Sequence, residues 1–340
     1  MASSTLGVKK KIVCLDTNFV SDMAKSRLGL IQDARGYLLR DLYSRLASLV
    51  SDNKIVCPCS VFHDVESQLC PDELMDEIRG AISVLSGGIR WHHWQTILAK
   101  QVMSALHSYS GRDGELAARD WREALSEDPD QHLTIGYAIR AEYQVPGEEV
   151  DAMRSAKQEY VLNMRTLPVR ETGRGYQDYL EEEARSFGII YTRPIAQLVA
   201  ALEAGDPTQI PSAFDAACPT FRLYEWYLSF GGADRRPLAL DSKFLAFFAS
   251  PAFKRVPSVH ILASLYAALR FYYPSRTPRS GDANDVRMVA AYMPYCDILA
   301  TDKFVRDITS RLALEREYAV AVYSLGPKDL PHLYQHLATL

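Results

Sequence analysis

Short apolar segments that alternate with helical patterns at both ends of the chain are the feature that most constrains its fold. Near the start, the runs KIVCL (11–15) and NKIVCPCS (53–60) are each followed by a segment with the apolar spacing of a helix. Near the end, DILAT (297–301) and YAVAVYSL (318–325) lie among helical patterns in the same way. Strands that alternate with helices are typical of a parallel sheet with helices on both faces. The two ends of the chain are therefore predicted to build an α/β fold.

The middle of the chain has a different pattern. Several segments there show helical spacing and few show strand signals, as in QTILAKQVMSALHSY (95–109) and EEVDAMRSAKQEYVLNM (148–164). We therefore predict three parts along the chain. They are a first half of the α/β core at 1–90, a mostly helical insertion at 91–250 and a second half of the core at 251–340.

Composition and charge favour a soluble globular protein. The 340 residues are 48% hydrophobic and 24% charged, and the formal net charge of −4 argues against strong non-specific attraction to nucleic acid. The apolar segment 256–273 carries His260 and Arg270 and has helical periodicity, so we predict a core helix and no membrane span. No apolar segment typical of a signal peptide precedes Asp16, and the six cysteines lack zinc-site spacing, which together favour the reducing cytoplasm.

Acidic residues flank these strands at positions where a parallel sheet would gather them. Asp16 ends the first strand and Asp302 ends the DILAT strand, while Glu66 and Asp285 lie in helical patterns nearby. Ligands of open α/β sheets sit beyond the carboxyl ends of the strands, so the four acids are expected to meet if the strands of Asp16 and Asp302 are neighbours. Carboxylates in one place repel each other and raise one another's pKa, a conflict that a hard cation with oxygen ligands removes.

A divalent cation of this kind would define the chemistry. Mg²⁺ binds one or two carboxylates and keeps water and substrate phosphate as its other ligands, and a pair of such ions promotes phosphodiester hydrolysis. Asp282 competes with Asp285 for the third acidic position. The segment DVRMVAAY, which starts at Asp285, has helical apolar spacing, so Asp285 is preferred and Asp282 is either a second ligand or the helix N-cap.

Four segments that contain these acids resemble, in the same order, the acidic motifs of the PIN-like nucleases. They are KIVCLDTNFV (11–20), CPCSVFHDVESQL (57–69), GDANDVRMVAAYM (281–293) and DILATDKF (297–304). The resemblance covers roughly 1–70 and 255–340, and it implies a PIN-like α-β-α sandwich with a central parallel sheet. It also implies an endonuclease that cuts RNA, or less often DNA, with Mg²⁺ or Mn²⁺.

The resemblance assigns roles to single positions of this chain. The acids that would bind the metal ions and carry catalysis are Asp16, Glu66, Asp285 and Asp302, with Asp282 as the further candidate ligand. Asn18, close to the first acid, and Thr301, just before the last, are the supporting residues. Bacterial proteins of this kind often act as toxins or in defence, which makes an antitoxin or regulatory partner and a homo-oligomer reasonable expectations. The long middle segment departs from the small PIN proteins, so the resemblance leaves its role open.

A basic stretch precedes the third acidic motif. Between Arg235 and Ser280 there are eight basic residues against one acid, a net charge of +7 in a chain of net −4. Positive charge beside an acidic metal site is what a nuclease needs to hold a phosphate backbone. The residues of this stretch predicted to contact nucleic acid are Lys254, Arg255, Arg270, Arg276 and Arg279.

Two other functions stay open on the sequence alone. A phosphatase of the haloacid dehalogenase type also begins with an aspartate at a strand end, but it needs a second acid two residues later, where this chain has Asn18. A PIN-like module that has lost catalysis would bind nucleic acid or protein without metal, and it would still bind after Asp16→Asn. All four acids are present, which favours the enzyme.

Overall fold

A computed structural model describes most of the chain. The described residues are 9–111, 121–130, 155, 171, 173–229, 242–277, 279 and 281–340. The helix predicted over 148–164 lies outside these residues except for position 155, and Arg235 and Arg236 of the basic stretch lie outside them as well.

Four strands form one parallel sheet in the order β2-β1-β3-β4. They are β1 (Lys11–Leu15), β2 (Ile55–Val56), β3 (Ile298–Thr301) and β4 (Ala321–Ser324). β1 pairs with β3 in the register Val13↔Ile298 and Leu15↔Ala300, so strands from the two ends of the chain lie side by side. The predicted α/β class with a parallel sheet is confirmed.

Helices make up most of the remaining described chain. In chain order they are α1 (Thr17–Arg27), α2 (Ala34–Ser51), α3 (Val61–Ser67), α4 (Asp72–Ser86), α5 (Trp94–Tyr109), α6 (Trp121–Ala124), α7 (Tyr176–Ala204), α8 (Ile210–Ser229), α9 (Ser242–Phe247), α10 (Pro251–Lys254), α11 (Pro257–Tyr272), α12 (Asp282–Tyr292), α13 (Lys303–Arg311), α14 (Leu314–Glu317) and α15 (Asp329–Ala338). A short 3₁₀ helix, Met293–Tyr295, joins α12 to β3.

The core around the sheet follows from the spacing of its apolar residues. In α2, Leu39, Leu42 and Leu46 are spaced so that they fall on one helix face, and all three are fully buried. They belong to the same buried cluster as Val13 of β1 and Ile298 of β3. The sheet that carries the strand-end acids is thus anchored to a packed helix layer.

Two compact units divide the described residues. The first draws on 1–94, 119–167 and 277–340, and the second on 95–118 and 168–276. The predicted boundaries at 90 and 250 stay predictions, and α11 belongs to the second unit. Inside the second unit α11 packs along α7.

The apolar segment 256–273 behaves as predicted for a core helix. It forms α11, in which Val259, Ile261 and Leu265 are almost completely buried. In the part of the chain that the structure describes, no helix is both long enough and apolar enough to cross a membrane.

Candidate metal site

Asp16 lies at the point where β1 becomes α1. Its backbone N–H donates to the carbonyl of Ala300 at 2.8 Å, which continues the β1–β3 pairing by one residue. Its carboxylate accepts from the backbone N–H of Asn18 at 3.3 Å and from the Asn18 side-chain amide at 3.4 Å. Asp16 is therefore the N-cap of α1, and with 2% exposure it is also a buried acid.

Asp302 occupies the equivalent position after β3. Its Oδ1 accepts from the backbone N–H of Val305 at 2.6 Å, so it caps α13. Because β1 and β3 are adjacent and parallel, their carboxyl ends lie at the same edge of the sheet. The structure thereby meets the condition under which Asp16 and Asp302 were expected to approach each other.

His63 attaches the helix of Glu66 to the end of β1. The Ser60 backbone N–H donates to His63 Nδ1 at 3.0 Å, which leaves the ring proton on Nε2, and Nε2–H donates to the carbonyl of Leu15 at 2.7 Å. Burial lowers the pKa of His63 below its ordinary value, which favours this neutral form. The bond to Leu15, the residue before Asp16, brings α3 and Glu66 to the same edge of the sheet.

The first turn of α12 supplies the remaining acids. Asp285 and Asp282 are both buried, at 8% and 5% exposure. Asp282 accepts from the backbone N–H of Arg279 at 2.8 Å and so holds the turn that leads into the helix. In the same turn, the Asn284 side-chain amide donates to Glu66 Oε1 at 3.0 Å and joins α12 to α3.

The four acids interact strongly with one another. Burial, followed by repulsion from Glu66, raises the pKa of Asp16 to about 7, although the Asn18 hydrogen bonds oppose the shift. Burial also raises the pKa of Asp285 to about 9, with added repulsion from Asp16, Asp302 and Glu66 in that order. Asp282 contributes the smallest of these repulsions on Asp285. A cluster of this kind cannot be fully ionised near neutral pH without a compensating positive charge.

The donor set fits a hard divalent cation. Thr17 and Thr301 adjoin Asp16 and Asp302 in sequence, and their buried hydroxyls have no hydrogen-bond partner among the described residues. Cation-bound water would satisfy such hydroxyls. Among the same residues no group of three or more His, Cys, Asp or Glu side chains is already arranged to hold a metal ion. Mg²⁺ does not require such a cage, because it takes one or two carboxylates and keeps several waters.

The basic residues predicted to contact nucleic acid belong to both compact units. Arg270 is buried and pairs with Glu182 at 2.9 Å and Glu183 at 2.7 Å, so it serves an internal ion-pair cluster of the second unit. Lys254 pairs with Glu181 in that unit, where Arg255 is exposed and Arg276 half-buried. Arg279 is exposed and belongs to the first unit, next to Asp282. Of the five residues, only Arg279 is brought to the acidic site within one unit.

Three residues of the site were missed by sequence reasoning. His63 follows Ser60 at the three-residue spacing of a capping box, a signal that could have been noticed. Thr17 adjoins an acid already singled out, but its side chain gives no separate signal. Asn284 bonds a residue 218 positions away, and nothing local predicts that contact.

Comparison of this chain with protein-family models, with curated proteins and with solved structures found no match. Asn18 also bears on the phosphatase alternative, because its side-chain amide donates to Asp16 and cannot act as a proton-transferring acid.

Proposed function

We propose that this protein is a metal-dependent endonuclease with a PIN-like α-β-α sandwich, and that it hydrolyses phosphodiester bonds in RNA. Two observations support the proposal: the strands that precede Asp16 and Asp302 are adjacent and parallel, and Asp16, Asp302 and Glu66 all repel the buried carboxylate of Asp285. Asp16 and Asp302 follow adjacent strands, while Glu66 and Asp285 lie on two helices joined by the Asn284 contact. Mg²⁺ or Mn²⁺ ions, two in number, are the cofactors that this oxygen-rich set would hold.

In the proposed enzyme, different residues of the chain have different roles. Asp16, Asp285 and Asp302 bind the ions together with Glu66, and the buried Asp282 shapes the turn beside them. When bound, the ions would activate a water molecule and stabilise the leaving oxygen of the phosphodiester. Asn18 holds the carboxylate of Asp16, and the unpartnered hydroxyl of Thr301 is available to orient water.

The decisive experiment is cleavage of end-labelled single-stranded RNA and DNA with Mg²⁺, with Mn²⁺ and with EDTA. Wild type is compared with Asp16→Asn and Asp302→Asn. Asp297→Asn is the matched control, because Asp297 stands at the opposite end of β3 and bonds Lys11 and the backbone of Ile12. We expect metal-dependent cutting of RNA by wild type and the control, and at least a hundredfold loss in the two site variants.

Each alternative has its own outcome in this experiment. Undiminished cutting by Asp16→Asn would exclude the proposed site. RNA or protein binding that persists in Asp16→Asn and in EDTA, without cleavage, would identify a binding module. A toxin or defence role, held in check by an antitoxin-like partner, predicts that expression of wild type arrests growth and that Asp302→Asn relieves the arrest.

A further inference from the structure

We infer that Asn284 is a positioning residue that orients Glu66 for metal binding through its side-chain amide. The inference rests on the proposed function, since it assigns Glu66 to the metal site. Asn284 lies within the third acidic motif but is not one of its acids. It contacts the site through the side chain of Glu66.

The contact joins two helices that each carry part of the acidic set. Asn284 Nδ2 donates to Glu66 Oε1 at 3.0 Å across the boundary between α12 and α3. The first turn of α12 is itself fixed, because the backbone N–H groups of Asn284 and Asp285 donate to the carbonyl of Gly281 at 2.9 and 3.1 Å. The amide that holds Glu66 is thus adjacent in sequence to a candidate ligand, Asp285, in the same hydrogen-bonded turn.

Repulsion from the neighbouring aspartates favours conformations in which the Glu66 side chain points away from the site. Its charge acts on both Asp16 and Asp285, and the glutamate is half-buried on a short helix with water within reach. His63 fixes the backbone of that helix against Leu15, but it does not fix the long side chain of Glu66. The Asn284 amide supplies a restraint at the carboxylate itself.

An amide is well suited to this position. It donates a hydrogen bond without adding a positive charge, so it orients the carboxylate and leaves the negative charge for a cation. A lysine or arginine there would pair with Glu66 and compete with the metal ion.

The test is Mn²⁺ binding, measured by electron paramagnetic resonance of the free ion in the absence of RNA. Four proteins are compared: wild type, Asn284→Ala, Glu66→Gln and the double variant. Partners that orient metal ligands typically contribute about 10–100-fold to metal affinity, so we expect about tenfold weaker binding by Asn284→Ala. If the amide acts through Glu66, the double variant binds no more weakly than Glu66→Gln alone.

Two further variants exclude general damage to the fold. Asn284→Leu keeps the approximate size of the side chain without a donor, and it should reproduce the loss seen with Asn284→Ala. Gln32→Ala removes an exposed amide that donates to the carbonyl of Gly29 at 2.8 Å in the same unit, and it should bind Mn²⁺ like wild type.

The outcomes separate this inference from the proposed function. A wild-type protein that binds no Mn²⁺ overturns both. Wild-type binding that is undiminished in folded Asn284→Ala or Asn284→Leu overturns the role of Asn284 alone. A tenfold loss that recurs in the Glu66→Gln background also overturns it, because the amide would then act on something other than Glu66.

Discussion

Asp16 and Asp302 each combine an observed structural role with the chemical role proposed for them. Both cap the helix that follows their strand, and both belong to the acidic set. Asparagine is nearly as good an N-cap as aspartate, so an Asp→Asn change removes the charge and keeps the cap. An Asp→Ala change would remove both and would confuse loss of function with loss of stability.

Asp285→Asn should stabilise the metal-free protein at pH 8 by about 1–3 kcal/mol. The pKa of Asp285 is about 9 in the folded state against a reference of 3.8, so the folded protein binds the extra proton between these values. Stability attributable to this group is therefore greatest at low pH and is lost as the pH rises through that window. Asparagine does not ionise, so the variant does not lose this stability as the pH rises. Thermal unfolding of both proteins in EDTA from pH 5 to 8 measures the difference.

Asp297→Asn provides the comparison of opposite sign. Asp297 accepts hydrogen bonds from Lys11 Nζ at 2.8 Å and from the Ile12 backbone at 2.9 Å, so its charge stabilises the fold. Its neutralisation should lower the thermal midpoint. A melting curve in which Asp285→Asn is also less stable than wild type at pH 8 would contradict the electrostatic description of the site.

At the scale of elements, α3 is attached to β1 through His63. His63→Ala should reduce the free energy of unfolding by about 1–3 kcal/mol, because it leaves the Leu15 carbonyl without its donor and removes half of the capping box. Chemical denaturation measures the change. His332→Ala, at an exposed position of α15, is the control and should remain within about 0.5 kcal/mol of wild type.

Mn²⁺ binding by His63→Ala extends this test from stability to the site. If α3 is placed by His63, the variant binds the ion more weakly than His332→Ala does. Equal binding and equal stability in the two variants would show that α3 is held by its apolar contacts alone.

Much of the element pattern could be predicted from the sequence, because it depends on local spacing. The alternation of apolar runs with helical patterns located the strands, and the ends of two such runs located Asp16 and Asp302. The apolar spacing of α11 predicted a buried helix correctly, but it contains no information about which core the helix joins. The predicted boundary at residue 251 therefore stays a prediction.

The acid with which each basic residue pairs could not be predicted from the sequence. The sequence shows an excess of basic residues before the third motif. It does not show that Arg270 forms ion pairs with Glu182 and Glu183. Those pairs form between helices separated by more than eighty positions. The same reason hid the contact between Asn284 and Glu66, since only the tertiary arrangement brings their helices together.

At the scale of the whole molecule, divalent cations should raise the thermal midpoint more at pH 8 than at pH 6. Protons compete with the metal, because the pKa values of Asp16 and Asp285 are about 7 and about 9. Mn²⁺ at a hundred times its dissociation constant should add about 2.7 kcal/mol of stability. Calorimetry of wild type and Asp16→Asn with and without Mn²⁺ tests this, and an equal shift in both proteins would place the ion elsewhere.

If the protein binds RNA as proposed, its overall charge of −4 makes each exposed cation near the site important. Arg279→Ala, in the uncleaving Asp302→Asn background, should weaken RNA binding and reduce the slope of log K against log salt by about 0.7. Arg316→Ala, exposed on α14, is the matched control and should leave the slope unchanged. If the two variants bind alike at every salt concentration, Arg279 does not contact the backbone of the RNA.

The pairing of β1 with β3 has a consequence for how the protein is made. Residue 13 pairs with residue 298, so the ribosome completes most of the chain before the sheet can close around the acids. A nascent chain that has reached only residue 281 holds Asp16 and Glu66, but it lacks both remaining acids. A messenger that is broken or stalled before that point yields a product without the complete acidic set. The order of the chain thus delays assembly of the acidic set until synthesis is nearly finished.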